Sequence, residues 1–156
     1  GEYEYWASRE TSDRSRMQTA YEIFTGMLHA AGVPLLLGSD AGVMATPHGV
    51  SAIEELEALV RAGLTPAAAL LAGTANAAAI LAPEVRTGRI APGFAADLVL
   101  LGADPREDFR VLRQPLGVMA NGYWYDTDAL EALRNASRRP GVWRTRLRLL
   151  MHVLAR

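Results

Sequence analysis

The sequence contains no cysteine and no lysine, and these two absences exclude several kinds of site. Without cysteine, the chain can form neither a disulfide framework nor a thiolate zinc site, and a reducing compartment is permitted. All 16 basic residues are arginine, so the chain offers no Schiff-base lysine, no lysine general base and no lysine to be carboxylated.

Long apolar runs and a strong charge imbalance are also missing. No run approaches the roughly 18 residues of a membrane span, and no signal peptide opens the chain, so we expect a soluble, cytoplasmic protein. The net charge of −1 and the 7% aromatic content give no bias toward nucleic acid or anionic membranes, and we expect no nucleic-acid partner. With 50% hydrophobic and 21% charged residues, the chain is globular in type.

An apolar segment at 33–37 leads through a glycine and a serine to a carboxylate, Asp40. Its composition predicts a buried β-strand. The residues before it, 15–31, predict a helix, because apolar residues recur at spacings of three and four up to Gly32. This order indicates an α/β unit, in which an acid at the carboxyl end of a buried strand is aimed into a site. Asp40 is therefore the first candidate functional residue.

Two histidines lie near this unit. His48 lies in the loop 41–49, and such loops hold the chemistry of α/β folds, although a histidine beside proline and glycine is equally an ordinary turn residue. His29 lies in the last turn of the predicted helix, where an imidazolium complements the helix dipole. We favour a surface or capping role for His29 over a metal role.

Residues 51–62 predict a second helix with one apolar face. Ser51, followed three residues later by Glu54, matches a capping box, and Gly63 closes the helix. Its acidic residues resemble a metal cluster, but we favour their roles as dipole partners and solubilising charge. These are Glu54, Glu55 and Glu57.

Small residues dominate the next stretch. Thr65 and Pro66 predict the start of a helix over 67–72, and a Gly-Thr break separates it from a second helix over 75–81. Such helices can approach a sheet or barrel closely, so we give them a structural role.

A small β unit follows a boundary near Pro83. Residues 96–101 predict one strand, and residues 116–120 and 123–126 predict a hairpin, because Asn-Gly between them is the strongest short hairpin signal.

The tail at 127–156 predicts one or two helices split at Pro140, with many arginines and no acid after Glu131. A basic amphipathic helix can lie on a membrane or bind an acidic partner. We favour a docking helix or a frayed terminus, and we do not expect membrane contact.

Together these segments resemble the carboxyl-terminal part of an amidohydrolase-superfamily enzyme, in the branch of imidazolonepropionase and prolidase-like enzymes. The resemblance spans about residues 30–126, and its combination of motifs is specific although each one is weak. The motifs are residues 31–42, 48–49, 54–60, 62–66, 74–78, 87–90 and 92–101.

The resemblance implies an α/β fold in three parts. Residues 1–82 would be the carboxyl-terminal part of a metal-dependent (β/α)8 barrel, containing its eighth strand and the following helices. Residues 83–127 would supply strands of a small β-sandwich, and residues 128–156 would form the basic helical tail.

The resemblance also implies a mechanism for the intact protein. Asp40 matches the family's aspartate that binds a divalent metal, which we expect to be zinc, and serves as general base in hydrolysing C–N amide bonds. The metal lowers the pKa of its water toward about 7, and the base passes the water's proton to the leaving amine. We expect a small cyclic amide or dipeptide-like substrate, contacted by Ser39 and His48. Asp97 is structural in this interpretation.

The family's remaining metal ligands cannot be placed on this chain. A catalytic metal site needs about three protein ligands, and the chain has three histidines in all. Many relatives also have a histidine where this chain has Ile53. We therefore expect an N-terminal barrel portion in cis or trans, and expect the isolated 156 residues to be inactive and poorly folded. Two alternatives are one half of a split enzyme and a non-catalytic remnant that binds partners through its Arg-rich tail.

Overall fold

The computed structural model describes residues 11–42 and 48–137. They form an α/β arrangement, and none of their helices is long and apolar enough to cross a bilayer. The predicted tail beyond residue 137 lies outside the described residues. In chain order the elements are α1 (Thr11–Ala30), α2 (Val50–Arg61), α3 (Pro66–Ala72), α4 (Ala75–Leu81), β1 (Leu98–Leu100), the 3₁₀ helix Phe109–Arg113, β2 (Gly117–Ala120), β3 (Tyr123–Asp126) and α5 (Thr127–Ser137).

The first two helices end at the glycines that the sequence marks. After α1, the backbone amides of Gly32 and Val33 donate to the carbonyls of His29 and Leu28 at 2.9 and 3.0 Å. This pair of bonds is a Schellman motif, which needs the left-handed φ of 76° that Gly32 adopts. Gly63 ends α2 with the same pair of bonds at φ 104°.

The predicted capping box at the start of α2 is wrong. The helix starts at Val50, so Ser51 is the second helical residue and its backbone cannot adopt the extended cap conformation. Gly49 takes the cap position at φ 81°, without a side-chain hydrogen bond. Ser51 is 6% exposed, on the side of the helix that faces the core.

The predicted start of α3 is confirmed. The Thr65 hydroxyl accepts a hydrogen bond from the backbone amide of Ala68 at 3.2 Å, and Pro66 occupies the first helical position. Proline fits there because its missing N–H has no partner in a helix's first turn. Residues 73–74 separate α3 from α4, as predicted.

One hydrophobic core joins the helices. Ile53, Leu56 and Leu59 of α2 pack with Leu64, the small residues of α3 and a buried phenylalanine, Phe109. The 3₁₀ helix that carries Phe109 was not predicted. Its ring links the β-containing half of the chain to the helical core. Ile53 is a core residue, 6% exposed.

The hairpin prediction is confirmed, and β1 completes a three-stranded antiparallel sheet in the order β1-β2-β3. Asn121 and Gly122 both have positive φ, 51° and 79°, as a type I′ turn requires. The backbone amide of Asn121 donates to Oδ1 of Asp97 at 2.8 Å. Asp97 therefore ties the turn to the chain just before β1, in keeping with the structural role expected for it.

The strand predicted at 33–37 is not formed in the described residues. A strand exists only when a neighbouring chain pairs with it, and the described residues place no strand beside this segment. The Leu37 amide instead donates to the carbonyl of Ala72, at the end of α3, at 3.1 Å. Leu35 and Leu37 are half-buried against the core, while Val33 is 42% exposed. Within residues 11–42 and 48–137, the segment predicted as a strand therefore pairs with no other strand.

Candidate functional site

Asp40 lies at the end of a segment that α3 anchors. Besides the bond from its amide to Ala72, Leu37 packs its side chain on Gly73, where a Cβ would lie 3.0 Å from Leu37 Cδ2. Leu35 packs against the same core. These contacts fix the chain three residues before Asp40, which is itself exposed.

The backbone of Asp40 adopts the left-handed conformation, with φ 49°. Few residues other than glycine adopt it, and among the residues that the structure describes it is shared with Asn121 of the hairpin turn. At Asn121 the turn type explains the positive φ. Asp40 lies in none of the hairpins that β1 to β3 form, and unusual backbone of this kind concentrates at functional sites.

Two more predicted site residues, Ser39 and His48, lie at this turn. Ser39, directly before Asp40, is half-buried. His48 is exposed, and its imidazole lies against Gly42: a Cβ on Gly42 would be 3.3 Å from His48 Nε2. Residues 43–47 of the predicted loop lie outside the described residues. The fold thus brings His48 back to the turn that carries Asp40, although the two are eight positions apart.

His29 lies in the last turn of α1, where the sequence predicts it, and its side chain is exposed. Its backbone carbonyl accepts the first bond of the helix-ending motif. The favoured role at a helix end agrees with this position. It lies apart in sequence from the turn that carries Asp40.

The described part of the chain contains no group of three histidine, aspartate or glutamate side chains that could hold a metal ion. The acidic residues of α2, for which the sequence favours a structural role, are among the side chains that form no such group. Among them, burial raises the pKa of Glu55 above its usual value. Within residues 11–42 and 48–137, Asp40 therefore lacks the further ligands that a catalytic metal requires.

Two charge pairs outside this site are structural features that the sequence interpretation missed. Arg106 donates its guanidinium and backbone N–H to Asp104, and these bonds lower the pKa of Asp104 to about 2. Arg110 does the same to Asp108, which caps the 3₁₀ helix and has a lowered pKa. The repeated Asp-x-Arg spacing was the available signal, because a carboxylate two residues before an arginine can accept its backbone amide.

Comparison with known proteins identifies relatives over most of these elements. Residues 11–125 match the model of the Amidohydrolase family. Ochratoxinase of Aspergillus niger is 38% identical over 89 residues, covering 56% of this chain and 18% of the relative. Imidazolonepropionase of Rubrobacter xylanophilus is 47% identical over 60 residues, covering 38% of this chain and 14% of the relative. The chain therefore spans less than a fifth of the length of these two relatives.

Solved structures agree with this assignment. A putative prolidase from Bifidobacterium longum superposes with a TM-score of 0.60 at 40% identity, covering 64% of this chain and 25% of that one. A Xaa-Pro dipeptidase, solved with methionine bound in its active site, gives a TM-score of 0.60 at 30% identity and covers 67% of this chain and 25% of that one. These similarities support the α/β fold and the resemblance stated from the sequence motifs.

Proposed function

Because this chain belongs to the amidohydrolase family, we propose that it supplies the catalytic carboxylate, Asp40, of a metal-dependent hydrolase of C–N amide bonds. The observation that carries the proposal is the position of Asp40. It is an exposed carboxylate with a left-handed backbone, at the end of a segment that the core anchors. Family membership, the motif around Asp40 and this local geometry point to the same residue.

The proposed chemistry needs two functions from one carboxylate. Asp40 would be one of the residues that hold a divalent cation, proposed to be zinc, and the cation would supply a water with a pKa lowered toward about 7. As general base, Asp40 would accept a proton from the water that attacks the amide carbonyl. Asp40 then returns the proton to the departing amine. Exposure of the carboxylate in this chain leaves it accessible to both partners.

The other metal ligands have to come from outside the described residues, and we propose that an N-terminal barrel portion provides them in cis or in trans. Exposed apolar side chains support this proposal. Met17, Tyr21, Phe24 and Met27 recur along α1 and are 54–66% exposed. None of the large side chains described is fully buried. A helix with such an uncovered stripe normally packs against another element.

We propose a small amide as the substrate. The names of the relatives include a Xaa-Pro dipeptidase and an imidazolonepropionase, which fits the expectation of a dipeptide-like or cyclic amide. Ser39 and His48 are the proposed substrate contacts on this chain, because both lie at the turn that carries Asp40. The alternative of an interaction module depends on the Arg-rich tail, most of which lies outside the described residues, so no observed feature favours it.

The test uses the complete gene product, meaning the translated open reading frame that contains this chain. It is assayed with Xaa-Pro dipeptides, imidazolonepropionate and ochratoxin, before and after a chelator removes bound metal. We expect hydrolysis of at least one of these amides, its loss on chelation and its return when zinc is added. Absence of hydrolysis across the panel, or activity that survives complete metal removal, would overturn the proposal.

A second arm tests the requirement for the missing portion. The 156-residue chain alone, supplied with zinc, is assayed against the same panel. We expect no turnover, since the described residues hold one candidate ligand. Turnover by the isolated chain would contradict the proposed contribution of other barrel elements.

A further inference from the structure

The turn after Asp40 contains a second left-handed residue. Gly42 has φ 100°, two positions after Asp40 at φ 49°. A Cβ added to Gly42 would lie 3.3 Å from Nε2 and 3.5 Å from Cε1 of His48. The outer end of the imidazole is thus packed directly on the glycine.

Gly42 is constrained in two separate ways. Its φ disfavours any residue with a side chain, and the imidazole fills the space that a side chain would take. Gly63 shows the first constraint without the second, because it has nearly the same φ, 104°, and nothing within 4 Å of its Cβ position. A contact at 3.3 Å is tight, so an added methyl group would have to displace the imidazole by a few tenths of an ångström.

We propose that Gly42 and His48 form a positioning pair, in which the imidazole packed on the glycine holds the turn that presents Asp40. The proposal rests on the function proposed above for Asp40. The contact joins His48 to a point two residues from the carboxylate. Because the left-handed backbone at Asp40 needs support from its surroundings, this contact restricts the turn to the conformation that aims the carboxylate.

Three variants of the complete gene product test the pair: Gly42→Ala, His48→Ala and the double variant. Gly63→Ala is the matched control, since it introduces the same backbone strain without a neighbouring imidazole. The readouts are kcat and KM on the panel member that is hydrolysed, and amide hydrogen exchange over residues 38–42. Hydrogen exchange reports the order of the turn whether or not the protein is active.

We expect Gly42→Ala to lower kcat about tenfold to a hundredfold, the loss typical of a misplaced catalytic group, with KM changed less than about twofold. His48→Ala should lower kcat similarly and also raise KM, because His48 is a proposed substrate contact. In the double variant, the loss of kcat should be smaller than the product of the two single losses, because both substitutions remove the same contact. Gly63→Ala should lower Tm and leave kcat and exchange at 38–42 unchanged.

Three results would overturn the proposal. The first is an unchanged kcat and unchanged exchange in His48→Ala, and the second is multiplicative losses of kcat in the double variant. The third is an equal loss of kcat in Gly63→Ala and Gly42→Ala. If exchange at 38–42 rises as expected while Asp40→Asn retains full activity, the pair holds the turn and the proposed role of Asp40 has failed. The two failures are therefore distinguishable.

Discussion

In the described part of the chain, two turns place a residue other than glycine in the left-handed conformation, and they are held by different means. The hairpin, residues 117–126, is held by two paired strands, an Asn-Gly turn and the bond from Asn121 to Asp97. The site segment, residues 33–42, pairs with none of the strands β1 to β3 and is held by apolar packing and the bond from Leu37 to Ala72. Local sequence rules determine the hairpin, whereas the site segment depends on residues distant in sequence.

This contrast explains what could be predicted. The hairpin, the helix-ending glycines and the Thr65 cap follow from interactions within about six residues, and all were predicted. The strand at 33–37 was predicted from its composition, but composition does not supply the neighbouring strands that a barrel provides. The capping box failed because the cap is Gly49, two residues before Ser51, so Ser51 lies inside the helix. The 3₁₀ helix at Phe109 was missed since its burial is a tertiary contact.

The candidate site divides in the same way. Asp40 was found from its place after an apolar segment, and His48 from its loop. The contact of His48 with Gly42 was not predicted, because it joins residues across a loop whose geometry the sequence does not reveal.

The largest expected loss of stability comes from removing the Phe109 ring, which packs the β-containing part of the chain against the helical core. Phe109→Ala removes the ring that the 3₁₀ helix inserts into the helical core, where it is 8% exposed. We expect the free energy of unfolding of the complete gene product to fall by about 3–5 kcal/mol, measured by denaturant titration. Phe109→Leu, which keeps most of the volume, is the control. An equal, small effect of both changes would show that the ring does not join the two regions.

A smaller loss is expected inside the hairpin. A Cβ on Gly117 would overlap the Trp124 ring at Cζ2, so Gly117→Ala must displace a half-exposed indole. We expect a cost of about 1–3 kcal/mol with hydrogen exchange at 38–42 unchanged, since the hairpin does not hold the site segment. At the control position, Gly102, a Cβ would make an ordinary contact, 3.7 Å from Leu116 Cδ1. Faster hydrogen exchange at residues 38–42 in Gly117→Ala would show that the hairpin also supports the site segment.

A change at the helix that anchors the site segment should show the opposite pattern. Thr65→Ala removes the cap of α3, whose last residue, Ala72, accepts the bond from Leu37. The expected cost is about 1 kcal/mol, together with faster exchange around residue 37 and unchanged exchange in the hairpin. Thr65→Ser keeps the accepting hydroxyl and should behave like the parent protein. Equal losses of stability in Thr65→Ala and Thr65→Ser would show that the hydroxyl does not stabilise the start of α3.

The smallest expected effect is a pH dependence at Asp104. Its pKa is lowered to about 2 by hydrogen bonds from Arg106, so the carboxylate contributes stability above its unfolded pKa of about 4 and loses it as pH falls toward 2. The Tm difference between the parent protein and Asp104→Asn should therefore be present at pH 5 and shrink toward pH 2. It should be small because the pair is exposed. A difference that grows on acidification would contradict the assigned direction.

The most direct test of the central claim is the turnover of Asp40→Asn in the complete gene product. This substitution keeps the size of the side chain and removes its ability to accept a proton. Asp128→Asn, an exposed acid in the first turn of α5, serves as the control. If Asp40 is the general base, kcat should fall by about 10²–10⁴-fold in Asp40→Asn and remain unchanged in Asp128→Asn. A kcat for Asp40→Asn within twofold of the parent protein would contradict the account.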